Sequence, residues 1–281
     1  RPSNPNHICF TMSEQEVTAL KRSFSDTTRI LPVLDKIVCY DVDLAGWQQL
    51  FQTQPNIEAI LHTATVYGRD GESFTEIFDV NTRFALELLE YAVAARVNLF
   101  INADTSLPPE TNAYALSKHQ FQAWGRSFCE VEDINFINIR LEHMYGPGDD
   151  VSKFTSRVIR SCLDKQPELE LTEGSHKRDF IYIDDVISGF MTLLLNDWTE
   201  ENRFMEFDLG SGQPVAIREL VEAIHRLTDS RTSLKFGALP TRKNEPMTTC
   251  SQTDPLEVLG WSCKTSLEQG LQTTIAAFRN E

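Results

Sequence analysis

Between residues 16 and 141 the chain alternates short apolar runs with longer stretches of helical period. That alternation constrains the fold more than any other feature of the sequence. Residues 17–20, 36–40 and 57–62 read as strands, as do 97–102 and 135–141. Residues 44–52, 74–95 and 115–128 read as helices, the second with Leu86, Leu88, Leu89 and Ala92 on its apolar side. Strands separated by helices imply a parallel sheet covered on both faces. Ligands of such sheets bind beyond the carboxyl ends of the strands. His62, Thr105 and Leu141 all fall at such ends and are expected to converge on one crevice.

After Gly146-Pro147-Gly148 the pattern loosens. Helices are expected over 154–165, 185–196, 215–227 and 266–279, with short strands at 168–172 and 204–208. This half reads as a smaller mixed α/β lobe, partly interleaved with the first. No internal repeat or low-complexity segment interrupts it.

Charge and cysteine usage narrow the partners. The formal net charge of −15 argues against nucleic acid and against anionic membrane surfaces. A small anionic ligand stays open, because it needs only a few local cations. The six cysteines are scattered without a C-x-x-C pair, which reads as reduced thiols in a cytoplasmic protein and predicts no metal site. No apolar run approaches a membrane span, and the first residues lack the apolar segment of a signal peptide.

The chemistry is expected at Thr105, Tyr114 and Lys118. A phenol and an ammonium four residues apart share one helix face. A nearby lysine cation favours the phenolate and is expected to lower the Tyr114 pKa. With the Thr105 hydroxyl holding a substrate oxygen, such a phenol can pass a proton to or from a carbonyl or carbinol. The complement that this needs is a hydride carrier.

With these residues stand Asp41-Val42, His62-Thr63-Ala64-Thr65, Asp79-Val80-Asn81-Thr82, Asp104-Thr105, Tyr145-Gly146-Pro147-Gly148, Arg178-Asp179-Phe180 and Gly210-Ser211-Gly212. In this order they resemble the extended short-chain dehydrogenase/reductases, the nucleotide-sugar epimerase/dehydratase family, over roughly residues 16–275. The stretch from Arg140 to Asp149 looks most like the CDP-abequose synthase-like reductases within it. The resemblance implies a Rossmann-like, doubly wound parallel sheet over 16–145 and a substrate lobe over 146–281. It also implies a homodimer through the helices at 74–95 and 115–128. Tyr114 would be the acid/base, Lys118 would hold the nicotinamide ribose, and Thr105 would bind the reacting oxygen. Asp41 and Val42 would contact adenine, Thr63 and Ala64 would line the cofactor cleft, and Asn81 would lie beneath the catalytic segment. Thr65, His143, Arg178 and Arg242 would face the nucleotide-sugar substrate, the two arginines as bidentate clamps on its pyrophosphate. Two readings of Arg178 stand, clamp or ion pair with Asp179, and two of His143, substrate contact or packed side chain. Gly210-Ser211-Gly212 reads as a plain turn.

The pattern departs from the family in three places. Residues 1–16 contain no glycine, so the glycine-rich turn that brings backbone N–H groups to a dinucleotide pyrophosphate is missing there. The first βα unit is therefore expected to be lacking, either by truncation, with residues 1–15 an unrelated leader, or in a natural variant that has lost cofactor binding, and its loss would leave an unpaired strand edge. After the strand at 17–20 stand Lys21, Arg22 and Ser23 in place of the acid expected of an NAD-preferring relative. They favour a ribose 2′-phosphate, hence NADP(H) ahead of NAD(H). Thr105 is followed by Ser106-Leu107 and not by the Asp-Glu pair of the dehydratases, which argues against dehydration. The expected activity is NADP(H)-dependent reduction of a 4-keto nucleoside-diphosphate sugar. An NAD-dependent epimerase and a non-catalytic nucleotide-sugar-binding remnant are the alternatives.

Overall fold

A computed structural model of the chain describes residues 16–54, 56–199, 201, 203–241 and 246–280. The leader expected over 1–15 and the proposed clamp Arg242 lie outside the described residues.

β1 (Val17–Lys21) and β2 (Ile37–Asp41) come first, and the Asp41 carboxylate caps α1 (Val42–Thr53) by accepting from Asp43 N. β3 (Ala59–His62) runs into a loop that ends at Ser73. There the Ser73 hydroxyl and the Glu76 carboxylate each accept the other residue's backbone N–H and start α2 (Phe74–Phe78). Residues Asp79–Phe84 continue it as a π-helical segment, and α3 (Ala85–Ala94) follows. The single helix expected over 74–95 is thus widened in its middle, where Asn81 and Thr82 are buried and bond to other segments. β4 (Leu99–Thr105) is buried along its whole length. α4 (Ala113–Val131) begins at Asn112, whose side chain accepts from Ala115 N, and β5 (Asn135–Leu141) follows.

The remainder runs β6 (His143–Tyr145), α5 (Phe154–Leu163), β7 (Glu168–Leu171), β8 (Lys177–Tyr182) and α6 (Ile183–Leu194). Then come β9 (Phe204–Leu209), β10 (Pro214–Ala216), α7 (Ile217–Leu227), β11 (Ser233–Phe236), α8 (Asp254–Val258) and α9 (Leu267–Arg279). The helix expected from 215 begins two residues later, because Val215 pairs with Arg178 in an antiparallel β10–β8 contact. β8 itself has no clean alternation and escapes the sequence reading, since five of its six residues are buried.

The chain forms two compact units. One ends at Ile139 and takes back Asp197–Glu206, and the other holds Arg140–Asn196 and the chain from Phe207 onward. The strands form a β1-β2 pair, a sheet of order β3-β4-β5-β9, a sheet of order β10-β8-β6 and a β11-β7 pair. β1 and β2 are parallel, as are β3 and β4. On their other sides β1 and β3 pair with no strand among the described residues, and Val17, Leu20 and Leu61 are exposed on them.

In the first unit the sheet core is a run of aromatic rings. Phe100 stacks on Phe136 at 5.4 Å between centroids, and Phe136 stacks on Phe204 at 5.9 Å. α4 reaches this layer through Gly125, where a built Cβ would lie 2.4 Å from the Phe136 ring. The second unit has its own core, with Tyr145, Ile159, Leu220, Ile224, Leu271 and Ile275 among its buried residues.

Gly125→Ala tests the close approach of α4 to the sheet. Helix propensity would gain about 1 kcal/mol. Phe136 is clamped between two stacked rings and cannot yield, so overpacking of about 1–3 kcal/mol should dominate. The expected result is a lower melting temperature; a higher one would contradict this packing.

Candidate active site

The site is built on the first unit, from the ends of β3 and β4, the start of α4 and the π-helical segment. Asn81 is the staple. Its Oδ1 accepts from Val66 N at 2.8 Å, and its Nδ2 donates to Val66 O at 2.8 Å and to Ser117 Oγ at 3.0 Å. Thr82 Oγ1 donates to Ser117 O at 2.9 Å, and Ser117 Oγ donates to Tyr114 O at 2.8 Å. The buried face of the π segment therefore fixes both the loop after β3 and the turn of α4 that carries Tyr114 and Lys118. His119 secures the other side by bonding Leu107 O at 2.9 Å.

Thr105 is buried at the end of β4, and its hydroxyl accepts from Leu107 N at 3.2 Å. The Thr105 hydroxyl lies near the Tyr114 phenol and favours its ionised form. Lys118 is fully buried, and its Nζ donates to Thr65 Oγ1 at 3.5 Å. Sequence reasoning thus brought Thr65, Asn81, Thr105, Tyr114 and Lys118 to one place, with Thr63 and Ala64 exposed on the loop directly after β3.

The expected electrostatics require correction. Burial pushes the Tyr114 phenol well above the usual tyrosine range, and Tyr67 and Asp104 act in the same direction. The Thr105 hydroxyl and the Arg69 guanidinium oppose them. The Lys118 ammonium bonds Thr65, and the net shift of the phenol is upward and not downward. Desolvation in turn lowers Lys118 itself to about 8 against the attraction of Asp104. At neutral pH the phenol is protonated and the ammonium charged.

Beneath these groups runs a buried polar chain that the sequence reading missed. His62 Nδ1 meets Asn102 Oδ1 at 3.0 Å, Asn102 Nδ2 donates to Asn138 Oδ1 at 2.8 Å, and Asn138 Nδ2 donates to Asp104 Oδ2 at 2.8 Å. Asp104 Oδ1 accepts from Thr105 N at 2.8 Å. Because Asn102 Oδ1 can only accept, His62 carries its proton on Nδ1. Its Nε2 is a buried lone pair without a partner among the described residues, and desolvation pulls its pKa down to about 3, so the ring stays neutral. A signal existed in the sequence. Asn102, Asp104 and Asn138 are polar residues inside otherwise apolar strands, and the first two are spaced to point the same way.

At the ends of β1 and β2, Lys21 Nζ donates to Asp41 Oδ2 at 2.7 Å and Ser23 Oγ donates to Asp41 Oδ1 at 3.1 Å. The Lys21 contact holds the Asp41 carboxyl below its usual range. Arg22 pairs with Asp43. The cations read as a phosphate site and the acid read as an adenine contact therefore bind each other, and Val42 follows as the first residue of α1.

Two proposed substrate residues lie in the second unit. Arg178 is buried, and its Nη1 donates to Lys177 O at 2.7 Å and Pro246 O at 2.9 Å. Asp179 serves another end: its carboxylate accepts from Ser211 N, Gly212 N and Ser251 N, folding Gly210-Ser211-Gly212 into the turn expected of it. His143 packs its ring 5.7 Å from Phe180 and meets Glu142 Oε2 at 3.3 Å.

The comparisons define the class. The model of the NAD dependent epimerase/dehydratase family matches residues 7–206. CDP-abequose synthase of Salmonella muenchen is 30% identical over 92% of this chain and 88% of its own length. The UDP-glucose 4-epimerase structure of Thermotoga maritima superposes with a TM-score of 0.81 at 20% identity, over 95% of this chain and 92% of the other. The UDP-glucuronic acid 4-epimerase of Bacillus cereus, solved with UDP-glucuronic acid and NAD, gives 0.82 at 20% identity over 94% and 91%. The chain belongs to the NAD dependent epimerase/dehydratase family, a family of enzymes, and has its Rossmann-like α/β fold. Within it, CDP-abequose synthases are among its relatives at about this level of identity, alongside nucleotide-sugar epimerases.

The buried ammonium yields a stability prediction. The native state releases the Lys118 proton near pH 8, the unfolded chain only near about 10.4. Below pH 8 both states hold it and the native state bears the full desolvation cost, which fades as pH rises through that window. Lys118→Met, assayed without cofactor, should therefore be more stable than wild type at pH 7 by of order 1–3 kcal/mol. The gap should narrow between about pH 8 and about 10.4 in urea titrations. A less stable variant at pH 7 would contradict the desolvated ammonium.

Proposed function

We propose that the chain is a reductase of a 4-keto nucleoside-diphosphate sugar, using NADPH ahead of NADH, in the manner of the CDP-abequose synthase-like branch of its family. The observation that carries this reading is the protonated Tyr114 phenol near the Thr105 hydroxyl, on the same helix as a buried lysine that bonds only Thr65 among the described residues.

The nicotinamide end of a dinucleotide fits this site. Lys118 has three donors and bonds only Thr65 among the described residues, at 3.5 Å, so a ribose diol would supply the acceptors it lacks. A reduced nicotinamide, when bound, supplies a hydride to the carbonyl carbon. Thr105 donates to the carbonyl oxygen as negative charge develops there. Tyr114 transfers its phenolic proton to the resulting alkoxide, leaving a phenolate whose charge Lys118 and Thr105 share. The high proton affinity of the free phenol suits this direction, because a group that holds its proton at neutral pH is ready to donate it. Asn81 keeps the geometry by tying the loop after β3 to α4.

Other parts of the reading rest on less. NADPH selection by Lys21, Arg22 and Ser23 requires a 2′-phosphate to displace their carboxylate partners Asp41 and Asp43. Arg178 and His143 would bind the nucleotide sugar, and Arg178 would first give up its backbone carbonyls. A homodimer through α2–α3 and α4 is supported by Phe78, Leu116 and Trp124, which are exposed on those helices. A reducing compartment such as the cytoplasm agrees with the five described cysteines, all of which are free thiols. No helix among the described residues is long and apolar enough to cross a membrane.

The test is NADPH oxidation with a CDP-4-keto-6-deoxyhexose. Tyr114→Phe should lower kcat by roughly 10²–10⁴-fold. Its affinity for the nucleotide sugar should stay within about twofold, because uniform binding is untouched. Full retained turnover would refute the assignment of Tyr114. Turnover of sugar without net NADPH consumption would point to the epimerase alternative, and sugar binding without dinucleotide binding to the non-catalytic one.

A further inference from the structure

The loop between β3 and α2 carries two residues that the chemistry above does not use. The Tyr67 ring lies 4.9 Å from the Tyr114 ring at an interplanar angle of 45°. The Arg69 guanidinium carbon lies 4.8 Å from the centroid of the Tyr67 ring, within the range of a cation–π contact. Arg69 is exposed and has no hydrogen bond or ion pair among the described residues. A guanidinium, a phenol ring and the proton-donating phenol thus lie in succession, ending on a cation with no ion pair among the described residues.

The loop holds this arrangement in place from both ends. Val66 is bonded through both its N–H and its carbonyl to Asn81. Gly68 turns the chain with φ +71 and sits so close to Ile77 that a Cβ would lie 2.7 Å from its Cδ1. The Ser73–Glu76 cap closes the segment, and Asp70 N is bonded to Glu72. Tyr67 and Arg69 are therefore presented on a fixed loop beside Tyr114.

We propose that Arg69, held over Tyr67, is a positioning residue that supplies positive charge to the Tyr114 phenol from outside its own helix and so sets how readily that phenol releases its proton. The ionisable groups around Tyr114 divide cleanly. Tyr67 and Asp104 oppose ionisation, Arg69 promotes it, and Lys118 has its ammonium on Thr65. Arg69 is thus a cation outside α4 whose charge favours the ionised phenol. The proposal rests on Tyr114 being the acid/base, and it adds a residue that the catalytic trio does not include.

The test reads the phenol directly, without turnover. Tyr114→3,5-difluorotyrosine, introduced by codon suppression in the full chain, lowers the titration into an accessible range and gives a fluorine NMR signal for that one side chain. In this background Arg69→Gln should raise the titration midpoint by roughly 0.3–1 unit. Arg69→Lys keeps the charge and should raise it less. A smaller rise or a fall in Arg69→Gln overturns the proposal, as does an equal rise in Arg69→Lys, which would assign the effect to shape and not charge. Arg69 is exposed, so melting temperatures should stay unchanged and confirm that folding is not the cause. If Tyr114→Phe turned out fully active while Arg69→Gln still moved the midpoint, the assignment of Tyr114 would fail, and only the electrostatic contact between Arg69 and its phenol would stand.

Discussion

A lysine ammonium held out of water is the constraint on which the rest of the site depends. Lys118 is fully buried with one long hydrogen bond, and the nearest compensating charge is Asp104. A buried charge is tolerated only where its surroundings are fixed. Those surroundings are a rigid polar scaffold. His62, Asn102 and Asn138 pass hydrogen bonds one way toward the Asp104 carboxylate, which also receives Thr105 N. The carboxylate that attracts the cation therefore also holds the Thr105 backbone at the end of β4. On the opposite flank Asn81 does comparable work between the loop after β3 and the first turns of α4.

This arrangement separates two tasks that the sequence pattern alone had merged. A phenol and an amine four residues apart suggest that the amine acidifies the phenol. In the folded chain the amine turns to Thr65 while desolvation keeps the phenol protonated. In the proposed function Lys118 holds a diol and Tyr114 donates the proton, and the other electrostatic neighbours of Tyr114 come from β4 and from the Tyr67–Arg69 loop. A phenol at rest in its acid form agrees with the proposed delivery of a proton to an alkoxide.

The alternation of strands and helices up to residue 141 was legible because each apolar run is short and each helix carries a clear stripe. The later half was harder to read. β8 is buried on both faces and lacks alternation, β10 is only three residues long, and Asp79–Phe84 changes helical width for reasons that lie in the burial of Asn81 and Thr82. Thr105, Tyr114 and Lys118 were readable from type and spacing. The His62–Asn102–Asn138–Asp104 chain joins three strands far apart in sequence, so its members looked like isolated polar residues until the sheet aligned them. Tyr67 and Arg69 carried no signal at all, since a tyrosine and an arginine flanking a glycine are ordinary in a loop. The pairing of Lys21 with Asp41 was likewise hidden, because parallel register between β1 and β2 brings those two positions side by side.

Membership of the NAD dependent epimerase/dehydratase family leaves the fate of the hydride as the decisive question, because an epimerase returns it and a reductase gives it away. The most direct measurement uses NADPH deuterated at the transferring position of nicotinamide carbon 4, with a CDP-4-keto-6-deoxyhexose as acceptor. The account predicts one deuterium bound at sugar carbon 4 for each NADP⁺ formed. Recovery of an unlabelled sugar, or conversion of sugar with the label still on the nicotinamide, would contradict it.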